Sequence, residues 1–242
     1  MIELTVNRKA YGDAPVIGAL SLTLDSGELV CLLGPSGCGK TTLLNILAGL
    51  DRDYSGALHS SHYRISYMFQ EPRLLPWRTV RQNLALVADS QQQQKIDELL
   101  SLMDLGDVAS QYPGRLSLGM ARRVALARTL INDPDLILMD EPFVSLDPPT
   151  AASLGEVLER LRQMRPEVAI LMVTHNIREA LTLSDRILVL GNQPTEVICE
   201  YFPEQKDGAV EQAEEKKLLA FYQKMEADEL VVPKARELTA MG

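Results

Sequence analysis

Apolar and polar residues alternate at the start of the chain and then give way to short, continuous apolar runs. The alternation at residues 2–6 is typical of a strand with one buried face, and we expect this segment to be an edge strand. The runs at residues 28–33 and 135–140 are almost entirely apolar, which predicts strands buried on both faces. A further apolar strand is predicted at residues 168–174.

Segments with helical patterns separate these strands. Helices are predicted at about residues 41–50 and 151–164, and the middle of the chain, about 74–132, is predicted to be mostly helical. Strands that alternate with helices indicate an α/β fold, with a mostly parallel sheet and helices on both faces. Residues 204–242 are acidic and are expected to form one helix and a tail.

Composition narrows the range of functions. The 242 residues suffice for one α/β domain, and the net charge of −9 makes nucleic acid or anionic lipid a poor partner. The three cysteines, Cys31, Cys38 and Cys199, match no metal-binding spacing and no disulfide framework, which favours a reducing compartment. We expect no signal peptide and no membrane-spanning segment, because no apolar stretch is long enough for either.

A glycine-rich segment after the first buried run matches the pattern G-x-x-x-x-G-K-[ST]. It lies between a predicted strand and a predicted helix, the context that a phosphate-binding loop requires. Glycines let the backbone approach phosphate oxygens, Lys40 reaches the β- and γ-phosphates, and the Thr41 hydroxyl is a ligand for Mg²⁺. The residues predicted to bind the nucleotide are Gly34, Pro35, Ser36, Gly37, Cys38, Gly39, Lys40, Thr41 and Thr42.

Two acidic residues, Asp140 and Glu141, end the second buried run. In a parallel sheet, ligands collect at the carboxyl ends of the strands, so we expect this pair beside the phosphate loop. Asp140 is then placed to orient Mg²⁺ through its water shell, and Glu141 to polarise a water that attacks the γ-phosphate. Together with the loop, the pair predicts binding of a nucleotide and attack of water on its γ-phosphate.

The sequence LSLGM at residues 116–120, followed by ARRVALARTL, is the most distinctive of the motifs. With the loop and the carboxylates it resembles the ATP-binding subunits of ABC transporters, in which the signature LSGGQ precedes a helix. We expect Ser117 and the Gly119 amide at that helix N-terminus, where an anion binds. Leu118 replaces a glycine and Met120 a glutamine of the family pattern. If position 118 requires a positive φ, Leu118 is strained by about 1–2 kcal/mol and hydrolysis is slow.

The resemblance, which extends to about residue 203, assigns roles to further residues. Gln70 resembles the glutamine that senses Mg²⁺ and the attacking water, and His175 resembles the switch histidine that contacts the γ-phosphate. Tyr11 resembles the aromatic residue that stacks on adenine. Asp147 belongs to a segment that resembles the loop crossing the dimer interface, and the resemblance places it, with Tyr11, Ser117 and Gly119, among the nucleotide-binding residues. The catalytic set implied is Glu141, His175 and Gln70, and the metal set is Thr41, Gln70 and Asp140.

The resemblance also implies an architecture and partners. Residues 1–203 would form a P-loop ATPase domain with an antiparallel β edge subdomain and a helical signature subdomain at about 74–132. Beyond the resemblance, Leu218, Tyr222 and Met225 recur at helical spacing, and we expect residues 204–242 to be a helical extension that packs on the body or on a second copy. Two copies would sandwich ATP and Mg²⁺ and would dock on integral membrane permease subunits. A periplasmic or extracellular solute-binding protein would deliver the solute, and the chain would lie peripherally on the cytoplasmic face of the inner membrane.

The segment at residues 71–80 resembles the importer branch that handles nitrate, sulfonate, taurine and some pyrimidine or vitamin precursors. The solute expected is therefore small and anionic or heterocyclic. Leu74, Leu75 and Trp77 would form the docking patch for the permease, unless they are core residues. Other readings are a small-molecule kinase, a lipid-trafficking ABC ATPase and a soluble ABC ATPase. Lys40 and Ser117 lie too close in sequence for the DNA-maintenance type of soluble ATPase, which has a long coiled coil between them.

Overall fold

The computed structural model describes residues 1–60, 63–89, 92–191, 193–204 and 212–226. These residues form two units, which are described separately. The first contains the described residues up to 60 and from 169 onward, and the second contains those from 63 to 168. Among the described residues, no helix combines the length and the apolar character that crossing a bilayer requires.

The strands, in chain order, are β1 (Ile2–Tyr11), β2 (Ala14–Ile17), β3 (Leu20–Leu24), β4 (Leu29–Leu33), β5 (Ser55–His59), β6 (Ile65–Met68), β7 (Leu136–Asp140), β8 (Ala169–Thr174), β9 (Arg186–Gly191) and β10 (Glu196–Tyr201). The α-helices are α1 (Lys40–Leu47), α2 (Val80–Ala85), α3 (Gln93–Leu102), α4 (Leu118–Leu130), α5 (Pro148–Met164), α6 (Ile177–Leu183) and α7 (Gln212–Glu226). Short 3₁₀ turns at Gly106–Val108 and Pro113–Arg115 connect α3 to α4.

The first unit contains an antiparallel sheet in which β1 is a central strand. β1 pairs with β3 and also with β2 and β5, so that Leu4 lies opposite Leu22 on one neighbour and Leu58 on the other. The prediction of an edge strand at residues 2–6 is therefore wrong. Alternation reports that one face of a strand is buried, but it carries no information on how many strands pair with it.

A second group of strands in the first unit has the order β10-β9-β4-β8. β4 is parallel to both β8 and β9, and β10 is antiparallel to β9. Every residue of β4 and of β8 is buried, as their continuous apolar sequences predict. The α/β fold with parallel strands and flanking helices is thus confirmed.

In the second unit, β6 and β7 form a parallel pair, and α2, α3 and α4 pack together. All five residues of β7 are buried, including Asp140 at its carboxyl end. The Thr79 side chain begins α2 with a reciprocal cap, accepting from the Gln82 amide while the Gln82 side chain accepts from the Thr79 amide. In the described part of the predicted helical segment at 74–132, the structure contains three α-helices and two short 3₁₀ turns.

The C-terminal extension contributes α7, which packs on α6 of the same unit. Leu218 and Tyr222, predicted to share one helical face, are both buried. Glu215 forms an ion pair with Arg178 at 3.5 Å, and Tyr201 donates a hydrogen bond of 2.6 Å to Glu214. Residues 205–211 and 227–242 of the predicted extension, and the side chain of Met225, lie outside the described residues.

Candidate nucleotide-binding site

The glycine-rich loop of the first unit joins buried β4 to α1, which begins at Lys40. Gly37 and Gly39 have φ values of 80° and 92°, a left-handed conformation that disfavours other residues. Gly34 has a different requirement, because a Cβ there would lie 2.9 Å from both the Cys38 sulfur and the Leu190 carbonyl oxygen. These glycines are therefore needed for the backbone path itself.

Lys40 is buried beneath the loop and is held by its carbonyl groups. Its Nζ donates hydrogen bonds of 2.8 Å to the carbonyl oxygens of Gly34 and Pro35. The sulfur of Cys38 lies 3.9 Å from the same Nζ, and burial raises the pKa of this thiol despite the nearby positive charge. The loop thus presents backbone amides, an ammonium group and a neutral thiol, which suits a polyanionic ligand.

Thr195 is a loop contact that the sequence analysis missed. Its hydroxyl, on a residue 1% exposed, donates a hydrogen bond to the carbonyl oxygen of Cys38. Nothing near Thr195 in sequence signals this role, because the two residues are far apart along the chain and meet through tertiary structure.

Tyr11 projects from the end of β1 with 54% of its surface exposed. Its hydroxyl donates to Asp51 at 2.9 Å, and the Nζ of Lys9 lies 4.4 Å from its ring centroid. Lys9 is itself 2% exposed and donates to Asp51 at 2.9 Å. Burial lowers the pKa of Lys9, but its interactions with Asp51, Asp53 and Tyr11 together outweigh this and the net pKa is raised. Lys9 and Asp51 therefore fix an exposed aromatic ring, which is what stacking on a base requires.

His175 is exposed and lies between β8 and α6, within a network centred on Glu179. The Thr174 hydroxyl donates a hydrogen bond of 2.6 Å to one carboxylate oxygen of Glu179. The side-chain amide of Asn176 donates a hydrogen bond of 3.0 Å to the other oxygen. Asn176 also caps α6 by accepting from the amides of Arg178 and Glu179. Glu179 thus holds the residues on both sides of the histidine. The sequence signal for this contact is the spacing N-x-x-E, which resembles a capping box.

The second unit carries the two carboxylates. Asp140, 6% exposed, accepts a hydrogen bond of 3.4 Å from the Tyr67 hydroxyl. Burial, and then the charge of Asp140, raise the pKa of Tyr67, so the hydroxyl remains a donor at neutral pH. Glu141 is partly exposed and has a φ of 47°, in the left-handed region. This conformation turns the chain sharply immediately after the strand.

The signature sequence begins α4 as expected. Ser117 is the N-cap residue, and its hydroxyl accepts a hydrogen bond of 3.2 Å from the Met120 amide. Leu118 is the first residue of the helix and has no positive φ, so the condition for strain at this position is not met. Gly119 is sterically required, because a Cβ there would lie 2.2 Å from the Cγ2 of Thr150.

Asp147 caps α5 with the same chemistry. Its carboxylate accepts a hydrogen bond of 2.7 Å from the Thr150 hydroxyl and one of 3.3 Å from the Thr150 amide, and these bonds lower the pKa of Asp147.

Gln70 is exposed two residues beyond the end of β6. The carbonyls of Pro72 and Arg73, just after it, each accept a hydrogen bond of 2.9 Å from Arg128 of α4.

The predicted site residues are therefore distributed over both units. The first unit holds Tyr11, the phosphate loop and His175, and the second holds Gln70, Asp140, Glu141, Ser117, Gly119 and Asp147. Among the described residues, no three His, Cys, Asp or Glu side chains form a metal-binding group. A buried strand, a left-handed glycine loop and a helix beginning at Lys-Thr define a P-loop nucleoside triphosphatase.

Comparisons with known proteins identify the family. The family model described as "ABC transporter" matches residues 17–144. The aliphatic sulfonates import ATP-binding protein SsuB 2 of Pseudomonas syringae pv. tomato is 43% identical over 194 residues, which cover 80% of this chain and 83% of that protein. SsuB 1 of Xanthomonas axonopodis pv. citri is 44% identical over 207 residues, covering 80% and 82%. The chain belongs to the ABC transporter family.

Solved structures of ATP-binding cassettes have the same fold as this chain. A dimeric ATP-binding cassette in a post-hydrolysis state, bound to ADP and phosphate, aligns with a TM-score of 0.72 at 27% identity, covering 85% of this chain and 100% of that one. The ADP conformation of another ABC cassette aligns with a TM-score of 0.79 at 22% identity, covering 94% and 98%, and it supports the fold alone. The protein is accordingly an ATPase of the ABC class, and its predicted ligand, a nucleotide, is confirmed.

Proposed function

We propose that this chain is the ATP-hydrolysing subunit of an importer for a small anionic solute of the sulfonate class. The observation that carries the proposal is the pairing of a phosphate loop with a capped signature helix in one chain whose relatives are named as sulfonate-import ATPases. Leu118 and Met120 depart from the usual signature, but Ser117 caps the helix and Gly119 is retained. The chain would lie on the cytoplasmic face of the inner membrane.

Each predicted residue would have a separate role in ATP hydrolysis. Lys40 and the loop amides hold the β- and γ-phosphates, and Tyr11 carries the adenine. Glu141 accepts the proton of the attacking water, while Gln70 and His175 orient that water and the γ-phosphate. Each of these residues acts through hydrogen bonds, stacking or charge, and no covalent intermediate with the protein is formed.

Hard oxygen donors in both units suit Mg²⁺. Thr41 offers a hydroxyl in the first turn of α1, and Asp140 offers a carboxylate that is 6% exposed. We assign Thr41, Gln70 and Asp140 to hold the ion, directly or through its water shell. When bound, Mg²⁺ neutralises charge on the phosphates.

The chemical assignment is tested by two substitutions. Glu141→Gln is expected to bind MgATP normally and to hydrolyse it at least about 100-fold more slowly, the usual effect of removing a general base. Lys40→Ala is expected to weaken nucleotide binding itself. Titration with a fluorescent ATP analogue and single-turnover phosphate release separate the two effects. Near-normal turnover by Glu141→Gln contradicts the assignment.

Two copies are expected to pair head to tail, so that Lys40 of one and Ser117 of the other contact the same ATP, in an isologous interface. Light scattering of Glu141→Gln should show dimer formation on addition of MgATP. Mixing Lys40→Ala with Ser117→Arg should leave one intact site in each mixed dimer. Absence of bound nucleotide from every mixed dimer contradicts the shared site.

The permease is expected to dock beside Trp77. Trp77 is 68% exposed, so the alternative that it is a core residue is wrong, and Leu74 and Leu75 are half-buried beside it in sequence. Trp77→Ala should cost about 2 kcal/mol of docking if it is a hot spot, while ATP binding by the free subunit is unchanged. Met164→Ala is a matched control, because Met164 is a similarly exposed apolar residue at 61%. Equal complex formation by both variants and the wild type excludes the docking role.

Transport distinguishes the sulfonate importer from a lipid-trafficking or soluble ATPase. The intact complex should copurify with permease subunits, and a separate solute-binding protein should stimulate its ATPase activity when loaded with an aliphatic sulfonate. Mass spectrometry of the complex identifies the permease and any bound lipid. Stimulation by a lipid carrier and none by any sulfonate would instead support lipid trafficking.

A further inference from the structure

Arg122 is a buried cation that joins the signature helix to the segment after the catalytic carboxylate. It is the fifth residue of α4 and is 3% exposed. Its Nη1 donates to the carbonyl oxygen of Glu141 at 2.9 Å and also to that of Pro142, and its Nη2 donates to that of Val144 at 2.5 Å. One guanidinium group therefore binds three backbone carbonyls within four residues.

The segment held by Arg122 has an unfavourable backbone. Glu141 and Ser145 have φ values of 47° and 61°, in the left-handed region that non-glycine residues avoid. Such conformations persist where the surrounding structure enforces them. The planar, five-donor fork of arginine suits this task, whereas a lysine cannot reach several carbonyls in a fixed plane. Because the Glu141 backbone sets the direction of its side chain, the contacts of Arg122 bear directly on that carboxylate.

A second contact joins the same two elements. Gly119, one turn before Arg122, packs against Thr150 of α5 so closely that it has no room for a Cβ. The start of α4 is thus fixed to the segment 141–150 at both ends of one helical turn. These contacts lie within the second unit and join the signature helix to the carboxylate segment at two separate places.

We propose that Arg122 is a positioning residue that orients Glu141 for catalysis and transmits displacement between the signature and that carboxylate. The inference rests on the proposed function, in which Ser117 contacts the ATP held by the partner copy and Glu141 acts on the ATP of its own copy. A movement of α4 on binding the partner's ATP then shifts Glu141 through the Arg122 carbonyl contacts. The two ATP sites of the dimer are coupled inside each copy by this side chain.

The test is a double-mutant cycle on the full-length chain. Arg122→Gln keeps a polar side chain but loses the fork, and it should lower the single-turnover rate up to about 100-fold, the scale of a misplaced catalytic group. MgATP affinity should change less than about twofold, because Arg122 makes no predicted contact with the nucleotide. In a Glu141→Gln background, Arg122→Gln should have no further effect on the rate, since its action passes through Glu141.

Arg123→Gln is the matched control. Arg123 is adjacent on α4, but it donates to the Met103 carbonyl at 3.2 Å and pairs with Asp104 at 3.8 Å, away from the carboxylate segment. Its substitution should leave the rate and the affinity unchanged. Arg122→Lys keeps the buried charge and serves if Arg122→Gln fails to fold; it should lower the rate about tenfold, because fewer carbonyls are held.

The outcomes separate the two proposals. If Glu141→Gln is slow and Arg122→Gln or Arg122→Lys is as fast as the wild type, the positioning role is overturned and the proposed chemistry stands. The same holds if the effects of Arg122 and Glu141 multiply, or if Arg123→Gln slows turnover equally. If Glu141→Gln itself turns over normally, the general-base assignment and the role of Arg122 both fall.

Discussion

The contact between Gly119 and Thr150 predicts a substitution that is harmful for steric reasons and can be rescued. In Gly119→Ala the new Cβ would lie 2.2 Å from the Cγ2 of Thr150, against an optimal carbon–carbon separation of about 3.5–4.0 Å. Thr150 cannot simply rotate, because its hydroxyl donates 2.7 Å to Asp147. Overpacking of this kind costs about 1–3 kcal/mol, partly offset by the gain of about 1 kcal/mol when alanine replaces glycine in a helix.

Thr150→Ser supplies the rescue, because it removes the Cγ2 methyl and keeps the hydroxyl bonded to Asp147. With that methyl absent, the remaining neighbours of the methyl group introduced by Gly119→Ala, the Thr150 Cβ and the Ser117 Oγ, lie 3.7 Å and 4.0 Å away. Urea unfolding of both single variants and the double variant should show a favourable coupling energy of about 1 kcal/mol or more. Gly114→Ala is the control, since a Cβ there meets nothing within 4 Å. Additive effects, or a Gly119→Ala single variant as stable as the wild type, would refute the steric argument.

Four further predictions concern stability, its pH dependence and reactivity. Lys9→Met should destabilise the fold by about 3 kcal/mol in urea unfolding and weaken ATP binding, because it leaves Asp51 poorly paired and releases the tyrosine ring. Burial raises the pKa of Asp51, but the hydrogen bonds from Lys9, Tyr11 and the Asp53 amide, together with the charge of Lys9, outweigh this and the net pKa is lowered. The stabilising effect of Asp51 is therefore present above the ordinary pKa near 3.8 and is lost as the pH falls, and Asp51→Asn should flatten that acid limb of the stability curve. Alkylation of Cys38 followed by mass spectrometry should be slow at pH 7 and accelerate above about pH 9, because burial raises the pKa of this thiol above its ordinary value of 9.0. Truncation after residue 203 should leave ATP affinity intact and lower the melting temperature, because it uncovers the surface on which Leu218 and Tyr222 are buried; a large loss of affinity in a folded truncation contradicts this.

The sequence predicted the elements whose signal is local. The phosphate loop, the buried strand that ends in two carboxylates and the capped signature helix each lie within one short segment, so spacing and residue type suffice to find them. The pairing of β1 with β5 could not be found in this way, because the two strands are some fifty residues apart and their pairing depends on tertiary structure. The contact of Thr195 with the loop carbonyl of Cys38 has the same origin.

Arg122 is an intermediate case, because the local sequence carries part of the signal for its burial. In a helix beginning at Leu118, residues 122, 126 and 130 lie on one face, and Leu126 and Leu130 are apolar. An arginine on an apolar face predicts a buried cation that must be paired or hydrogen-bonded. The periodicity thus indicates that Arg122 has partners, although it cannot identify them as the carbonyls that follow Glu141.

The replacement of a glycine by Leu118 has to be judged by what that position contributes. As the first helical residue it supplies a backbone amide to the helix N-terminus, and a side chain does not alter that donor. The side chain is 41% exposed, so it is not forced into the packed side of the helix, where Gly119 meets Thr150. The steric demand for glycine therefore falls on position 119 and not on 118. Slow hydrolysis does not follow from backbone strain at Leu118, and the anion binding that we propose for the signature would depend instead on the Ser117 cap and on the close packing at Gly119.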